Sequence, residues 1–309
     1  LWDPFLQIDW NQKQWQFMNS RKREILLSGV PQIGGKSTAG HAVCVWHLTG
    51  NYPEWYTGWR FDRPVRMLVA SDSQEMVRHR ILDPLFGPVF RRGSGFLPRN
   101  SFSKADLQTA KSHGKKTSKD EGSFDYALVK YKDWNPRNKR YSELYTKTYK
   151  SDVELIRGLP HIDIVRLDEE PPTLDIYMEF VNRLAYTRGP LYLPMIPQDG
   201  ETELWRLFEK DTSGDRELII QTIWDCTHVS KEHREEEVRK WRGSLYENTK
   251  LHGRPSLGTG TVFSCDPAQV FIDPIKLPRS MPGIIGLDFA HGPGGTFAAV
   301  KAVHDKEND

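Results

Sequence analysis

The sequence predicts an α/β protein with a mostly parallel sheet flanked by helices, and three observations support this fold class. Short apolar runs alternate with segments of helical periodicity between Glu24 and Ile196. A glycine-rich loop joins the first apolar run to the first long helix, and a later apolar run ends in three consecutive acids. Alternating strands and helices form parallel sheets, whose ligands bind at the carboxyl ends of the strands.

Each element of this alternation is predicted in chain order. Glu24–Gly29 is a short apolar run ending in glycine, which indicates a buried strand. Ser37–Leu48 carries Ala, Val and Trp at helical spacing and indicates a helix. The remaining predictions are a strand at Val65–Ala70, a helix at Gln74–Leu82, a strand at Ile162–Leu167, a helix at Leu174–Tyr186, a strand at Leu191–Ile196 and a charged helix at Lys231–Trp241.

Composition excludes several classes of protein. The 309 residues carry 43 basic and 41 acidic side chains, so the net charge of +2 does not identify a partner. Mean hydropathy is −0.61, and no apolar run approaches the ~18 residues of a membrane span, which predicts a soluble protein. Three distant cysteines argue against a disulfide scaffold or structural zinc and favour a reducing compartment. Because the chain begins with Leu, we expect it to be part of a longer protein.

The near-neutral total conceals two oppositely charged blocks. Lys104–Ser151 has 12 basic and 6 acidic residues, whereas His161–Asp211 has 5 basic and 11 acidic residues. Within the basic block, Lys111–Lys150 mixes Lys and Arg with five tyrosines and a tryptophan. Lys and Arg bind DNA phosphates regardless of base sequence, so this segment is a candidate DNA contact. A solvated strand face would produce the same alternation, and that alternative remains open.

The segment Gly29–Ser37, with the sequence GVPQIGGKS, is the most informative. A phosphate chain is bound by a glycine-rich backbone, amides at a helix N-terminus, a lysine, and a hydroxyl that reaches Mg²⁺. These groups are supplied by Gly34, Gly35, Lys36 and Ser37. The usual pattern has a glycine six positions before the lysine, where this chain has Val30, so the spacing is irregular. A glycine-rich turn that binds nothing is the alternative interpretation.

A second motif, Ile162–Pro172, is an apolar strand followed by Asp168, Glu169 and Glu170. A strand-end Asp can hold Mg²⁺, and the next carboxylate can polarise the attacking water, which are two tasks of NTP hydrolysis. Acidic junctions between strands and loops are also common without a ligand. The glycine-rich loop upstream favours the functional interpretation, and adjacent carboxylates favour a hydrolase over a kinase.

The succession of these motifs resembles the large terminase subunit of tailed double-stranded DNA bacteriophages. The resemblance covers most of the chain from about Trp10 onward and rests on four segments. They are GVPQIGGKSTAGHAV, HLTGNYPEWYTGWRFDRPVR, IRGLPHIDIVRLDEEPP and PLYLPMIPQDGETELWRLF. This family has an N-terminal P-loop ATPase of the ASCE type that pumps DNA into a procapsid, a small linker subdomain, and a C-terminal nuclease of RNase H-like fold.

The resemblance implies roles for individual residues. Catalytic roles are implied for Lys36, Glu169 and Arg157, the last as an arginine finger acting on a neighbouring subunit. Nucleotide contacts are implied for Gln14, as the adenine-reading glutamine, and for Gln32, Gly34, Gly35, Lys36, Ser37 and Thr38. Mg²⁺ contacts are implied for Ser37 and Asp168. Gln14 and Arg157 are equally well explained as ordinary surface side chains.

A further motif departs from the family pattern. Met195–Gly200 occupies the position of the family's coupling motif, which usually reads Thr-Pro-x-x-Gly. Ile196 replaces the hydroxyl residue, which argues against a side-chain hydrogen bond to the γ-phosphate at this position.

By the same resemblance, the chain divides into an ATPase domain at 1–225, a linker subdomain at 226–280 and the first strands of a truncated RNase H-like nuclease at 281–309. Gly283–Phe289 resembles the first nuclease strand, whose terminal acid, Asp288, would bind a metal. Cleavage by two metals needs several carboxylates from different strands, and the later acids lie in a charged tail. We therefore expect no nuclease activity from this chain.

The resemblance implies ATP and Mg²⁺ as cofactors. It implies double-stranded DNA, the portal protein of the procapsid, the small terminase subunit and further copies of the chain in a ring as partners, in the host cell cytoplasm. Two other functions remain open. One is a helicase-like DNA-dependent ATPase, and the other is a nucleotide-binding scaffold that does not hydrolyse ATP, which the irregular loop and Ile196 would suit.

Overall fold

A computed structural model describes residues 4–5, 7–102, 107–108, 124–151, 153–256, 283–288 and 298–303. The chain divides into two compact units, Leu1–Thr261 and Val262–Asp309. The strands are β1 Glu24–Gly29, β2 Arg66–Ser71, β3 Leu107–Gln108, β4 Tyr126–Lys130, β5 Tyr141–Thr148, β6 Ile164–Leu167, β7 Leu191–Met195, β8 Arg216–Gln221, β9 Gly283–Asp288 and β10 Ala298–Val303. The α-helices are α1 Gln12–Asn19, α2 Lys36–Thr49, α3 Gln74–Val77, α4 Asp83–Phe86, α5 Val153–Arg157, α6 Leu174–Arg183, α7 Glu203–Glu209 and α8 Lys231–Trp241.

The first unit is built on an eight-stranded sheet with the order β3-β4-β5-β2-β6-β7-β1-β8. The six strands from β5 to β8 in this order run parallel to their neighbours. At the other edge, β4 is antiparallel to β5, and β3 is antiparallel to β4. The predicted fold class, a mostly parallel sheet flanked by helices, is confirmed.

Each face of this sheet has its own apolar core, because successive side chains of a strand point to opposite faces. On β1, Ile25 and Leu27 enter one core together with Trp46 of α2. Leu26 enters the other core together with Phe180 of α6. Burial on both faces explains why the centre of β1, Ile25–Leu27, is a continuous apolar run in the sequence.

Most element predictions are confirmed to within a few residues, and two differ in an informative way. The predicted helix at Gln74–Leu82 is one α-helical turn, α3, followed by a π-helical turn at Arg78–Leu82. π-helical turns occur often at functional sites. Helix α6 ends at Arg183, three residues before its predicted end. Tyr186 lies beyond the helix, where its exposed ring stacks on His161 with centroids 4.2 Å apart.

The predicted strand in the basic block is β5, in which buried and half-buried residues alternate. Its half-buried positions are Tyr141, Glu143, Tyr145 and Lys147. This alternation matches the solvated strand face. Residues 109–123, which contain much of the basic block, lie outside the described part of the chain, and DNA contact by the block stays a prediction.

The second unit contains an antiparallel pair, β9 and β10, in which Asp288 lies opposite Ala298. The strand predicted at Gly283–Phe289 is thus present as β9. Of the predicted linker subdomain at 226–280, residues 257–280 lie outside the described part of the chain. Of the helices in the described part of the chain, none has the length and apolar character needed to span a membrane.

Candidate active site

The carboxyl ends of two parallel strands form the centre of the site. Both β1 and β6 pair with β7, so they lie one strand apart. The glycine-rich loop follows β1, and the three acids follow β6. Because parallel strands end at the same edge of a sheet, the fold brings together two motifs that are far apart in the sequence.

Close packing explains the glycines of the loop. Gly35, the residue before α2, has a φ of +62°, a left-handed conformation that glycine adopts without strain. A Cβ atom on Gly34 would lie 2.8 Å from the Val30 carbonyl oxygen, and one on Gly29 would lie 3.0 Å from the Gln221 side chain. The loop therefore has no room for side chains where it contacts itself and the end of β8.

The carbonyl groups of the loop are held by side chains. Four of these carbonyls accept hydrogen bonds from side chains. Lys36 Nζ donates to the Val30 carbonyl (2.7 Å), and His228 Nε2 donates to that of Ile33 (2.8 Å). The Gly34 carbonyl accepts from Gln14 Nε2 (3.2 Å) and Gln221 Nε2 (2.7 Å), and Gln14 Nε2 also donates to the Gly35 carbonyl (3.0 Å). Within the described part of the chain, the amides of residues 34–38 donate to no protein acceptor. Amides at a helix N-terminus form a binding site for anions such as phosphate.

The other predicted loop contacts differ in accessibility. Gln32 is exposed and left-handed, with a φ of +61°, so the loop contains a second residue of this conformation. Ser37 is exposed at the start of α2, and Thr38 is half-buried. The Ser37 hydroxyl is thus accessible beside the amides, as a nucleotide-bound cation would require.

Lys36 places a buried positive charge beside these amides. The residue is 7% exposed. Burial lowers its pKa to about 8, although the nearby carboxylates of Glu169 and Asp168 partly counteract this effect. Lys36 thus stays mainly protonated at neutral pH and can neutralise phosphate charge.

Two arginines contact Asp168, the first acid after β6. Arg166, two residues earlier on the same strand face, donates through one guanidinium nitrogen to Asp168 Oδ1 at 3.1 Å. Arg80 lies 3.7 Å from Asp168 Oδ2. Burial raises the pKa of Asp168, and both arginines counteract this.

Glu169 is held by three groups in a strained backbone position. Its φ of +65° is left-handed, which is rare for a residue other than glycine and is typical of functional sites. The Ile196 amide donates to Glu169 Oε2 at 2.9 Å, and Arg80 lies 3.4 Å from Oε1. The Tyr149 hydroxyl donates to the Glu169 carbonyl at 2.8 Å. Burial raises the pKa of Glu169, and the Ile196 amide opposes this rise.

The contact with Ile196 links the segment Met195–Gly200, which occupies the position of the family's coupling motif, to the acids. The sequence argues that Ile196 lacks the side chain for a hydrogen bond, and the structure uses its backbone amide instead. The adjacent acid, Glu170, has a different partner, because it accepts a hydrogen bond from the Thr202 hydroxyl at the N-terminus of α7.

Arg80 is a site residue that sequence reasoning misses. It lies in the π-helical turn after α3, where its side chain is 42% exposed. Its carbonyl accepts a hydrogen bond from His41 Nε2 at 2.8 Å, and burial lowers the pKa of His41 to about 3, so that ring stays neutral. This bond ties the backbone of Arg80 to α2. Nothing local in the sequence marks Arg80, whereas Arg166 is recognisable as a charge within an apolar strand.

Two predicted site residues have partners within the chain. Gln14 is 3% exposed, so its interpretation as a surface amide is wrong. Its Nε2 bonds the loop carbonyls, and its Oε1 accepts from the Asn11 amide at 3.0 Å, so its side chain is engaged in bracing the loop. Arg157 is half exposed and pairs with Glu179 at 2.7 Å and Glu154 at 3.1 Å. An arginine finger at this position has to leave both carboxylates.

The residues at the site fit a magnesium ion bound together with phosphate. The donor set is one hydroxyl, Ser37, and one carboxylate, Asp168, and Mg²⁺ prefers such oxygen ligands while taking others from phosphate and water. Within the described residues, no group of three His, Cys, Asp or Glu side chains could hold a metal alone. Asp288 ends β9, and its proposed metal contact stays a prediction.

Amides without a protein acceptor at the start of a helix, one strand away from a pair of carboxylates, are the arrangement of a P-loop NTPase. No family model matches the chain. The chain is 27% identical to the terminase large subunit of Salmonella phage P22 over 271 residues, which are 82% of this chain and 52% of the phage protein. It therefore spans about half the length of the curated relative that it matches.

Two solved structures with a similar fold are also large terminases. The large terminase of a thermophilic bacteriophage matches 91% of this chain and 62% of its own, with a TM-score of 0.56 and 13% identity. The ATPase domain of the Thermus phage P74-26 large terminase matches 80% of this chain and 94% of its own, with a TM-score of 0.54 and 16% identity. The resemblance to large terminase subunits is confirmed, and so is the fold of their ATPase domain.

Proposed function

We propose that this chain is the ATP-hydrolysing motor of a viral terminase, which moves double-stranded DNA through a portal into a procapsid. The observation that carries this proposal is the loop whose amides have no acceptor among the described residues and whose lysine is buried, one strand away from Glu169. These groups meet the two needs of NTP hydrolysis, which are charge stabilisation on phosphate and orientation of a water.

The comparisons support a nucleotide ligand. One of the structures with a similar fold is the large terminase of the same thermophilic bacteriophage in complex with ATP-γ-S, with a TM-score of 0.50 and 11% identity over 77% of this chain. For the present chain, we propose ATP as the nucleotide, with the phosphates at the amides of residues 34–38. Gln32, Ser37 and Thr38 lie in or next to this segment.

The chemistry then divides between two groups. Glu169, fixed by the Ile196 amide, orients the attacking water and accepts its proton. Lys36 offsets the charge that develops on the γ-phosphate. Ser37 and Asp168 would hold Mg²⁺, which neutralises phosphate charge when bound.

Arg157 would complete the site of a neighbouring copy. An arginine finger acting in trans predicts that specific ATPase activity rises with protein concentration. Mixing Arg157→Ala with Lys36→Ala protein should restore some activity, because one kind of interface then has both intact residues. Activity that is independent of concentration, without rescue on mixing, would leave Arg157 as a surface residue paired with Glu179.

The wider assignment follows from the same proposal. The ATPase would occupy 1–225, the linker subdomain 226–280 and the beginning of the nuclease 281–309, with Asp288 as a nuclease metal ligand. The portal, the small terminase subunit and other copies in a ring would be partners, in the cytoplasm of the host cell. The basic block would contact DNA phosphates.

The test is ATP turnover by the purified chain with Mg²⁺, with and without linear double-stranded DNA. Lys36→Ala protein serves as the control for contaminating ATPases. We expect turnover that depends on Lys36 and increases with DNA. Absence of turnover under both conditions would favour the non-hydrolysing scaffold. A helicase would also separate the two strands of the DNA, whereas a packaging motor would leave them paired.

A further inference from the structure

Arg166 is fully buried, with 0% exposure, in the middle of β6. One guanidinium nitrogen donates to Asp168 Oδ1 at 3.1 Å. The other two nitrogens, Nε and Nη1, are buried and have no oxygen or nitrogen partner in the described part of the chain, and the Cys44 thiol of α2 is a weak partner of the guanidinium. Within the described part of the chain, Asp168 is the only carboxylate that pairs with Arg166.

Arg166 is not explained by a contribution to the stability of the fold. Removing an arginine from water is costly, and one hydrogen-bonded carboxylate together with a weak thiol partner repays little of this cost. An apolar side chain at this strand position would pack without a penalty, as its neighbours Val165 and Leu167 do. The arginine is therefore better explained by what it does to Asp168.

Helix α2 leaves space for this guanidinium. Gly40 lies on the helix directly above Arg166, and a Cβ atom there would be 2.9 Å from Arg166 Nε and 3.2 Å from Cζ. Glycine within a helix is itself unfavourable relative to alanine. Two locally unfavourable residues, one on α2 and one on β6, thus meet at one point. This coincidence is independent of the contact with Asp168 and indicates that the position of the guanidinium matters.

We propose that Arg166 is a positioning residue that holds the Asp168 carboxylate in the orientation needed for Mg²⁺-nucleotide. Arg166 binds Oδ1, so Oδ2 faces the other way, toward Arg80, whose side chain is 42% exposed. The carboxylate thereby keeps one orientation without contact between Arg166 and the nucleotide. Partners that orient metal ligands typically contribute 10- to 100-fold to metal affinity or activity. This inference rests on the proposed function.

The experiment uses the whole chain and measures metal dependence without hydrolysis. A fluorescent ADP analogue, mant-ADP, is bound first without metal and is then titrated with Mg²⁺. For Arg166→Met we expect metal-free binding within about twofold of wild type and a half-saturating Mg²⁺ concentration raised by about 10- to 100-fold. For Gly40→Ala, which displaces the guanidinium without changing any charge, we expect a smaller rise in the same direction.

Arg63→Met is the matched control. Arg63 pairs with Asp163 at 2.7 Å, just before β6, so this variant breaks an Arg–Asp pair at the opposite end of the same strand. It should leave the Mg²⁺ dependence unchanged. Thermal unfolding of each variant checks that it is folded, and if Arg166→Met is not, Gly40→Ala decides.

A folded Arg166→Met protein with the Mg²⁺ dependence of the wild type would overturn the inference. If Arg166→Met does not fold, the same result in Gly40→Ala would overturn it. An equal rise in Arg63→Met would do the same, because any loosening of β6 would then produce the effect. Failure of the proposed function has a different signature, since the wild-type protein itself would then not hydrolyse ATP.

Discussion

The phosphate loop and the acidic end of β6 lie one strand apart but are built on different principles. The loop offers backbone amides, and its carbonyls are held by side chains from elsewhere, such as Gln14 and Gln221. The strand end offers carboxylates, which are held by arginines and by the Ile196 amide. Since different groups support the two regions, binding of nucleotide and its hydrolysis should be separable by mutation.

Lys36 links the two regions. Its side chain donates to the loop carbonyl of Val30, and its charge interacts with Glu169 and Asp168. Substitution of Lys36 should therefore affect both binding and chemistry, whereas other substitutions should affect one of them. The following predictions test this difference, from the largest expected effect to the smallest.

Lys36→Ala should reduce ATP turnover by about 10³-fold or to background and should also weaken nucleotide binding. The reason is that it removes the buried cation beside the phosphate amides. Steady-state turnover and mant-ADP titration measure the two effects. Lys22→Ala is the control, because Lys22 also donates to a backbone carbonyl, that of Gly214, but at the surface. Normal turnover in Lys36→Ala would mean that the loop is not the phosphate site.

Glu169→Gln should cut turnover by about 10²-fold or more while nucleotide affinity stays within a few-fold of wild type. The amide keeps the size of the side chain but cannot accept a proton from water. Glu170→Gln is the control, because the neighbouring acid is bound to Thr202 and should have little effect on turnover. A large loss in Glu170→Gln with little loss in Glu169→Gln would transfer the catalytic role to Glu170.

Gln14→Ala should weaken binding of ATP and GTP alike, by about 10-fold, because the carbonyls of Gly34 and Gly35 lose a donor that braces the loop. Nucleotide titrations with both bases measure the change. Gln16→Ala, on the exposed side of the same helix, is the control. If only the preference for ATP over GTP were lost, Gln14 would be reading adenine, as the family resemblance implies.

Lys36→Met should stabilise the nucleotide-free protein by about 2 kcal/mol near neutral pH. Lowering a pKa from 10.5 to about 8 costs about 3 kcal/mol of folding free energy, and the lost hydrogen bond to Val30 offsets about 1 kcal/mol of the gain. Below pH 8, both folded and unfolded wild-type chains carry the proton, so the cost is complete there.

That cost disappears as pH rises from about 8 to 10.5, because the unfolded chain binds more protons than the folded one in this range. The difference in free energy of unfolding between Lys36→Met and wild type, measured with urea, should shrink accordingly. A difference that does not vary with pH would show that burial of the charge is not its source.

The sequence predicts the position of the loop well because its conformation depends on local residues. The glycines lie in one short segment, and even the irregular spacing leaves Gly34, Gly35 and Lys36 at the start of α2. The binding roles of these residues stay predictions. The β1 strand is predicted to the residue, because burial on both faces makes its centre, Ile25–Leu27, apolar.

The groups that hold Asp168 and Glu169 could not all be predicted in this way, because several of them come from distant segments of the chain. Arg80 lies on a π-helical turn, and Ile196 acts through its backbone amide, which every residue except proline has. The sequence does single out Gln14, but the contacts of Gln14 with the loop depend on how α1 packs beside α2. Such contacts follow from tertiary structure and leave no local pattern.

The central claim is that the loop binds the nucleotide and that Glu169 orients the water that hydrolyses it. The most direct test identifies the nucleotide that remains on the protein after mixing with Mg²⁺-ATP and rapid desalting. The account predicts mainly ADP on the wild type, mainly ATP on Glu169→Gln, and little of either on Lys36→Ala. ADP on Glu169→Gln at the wild-type level, or ATP retained by Lys36→Ala, would contradict it.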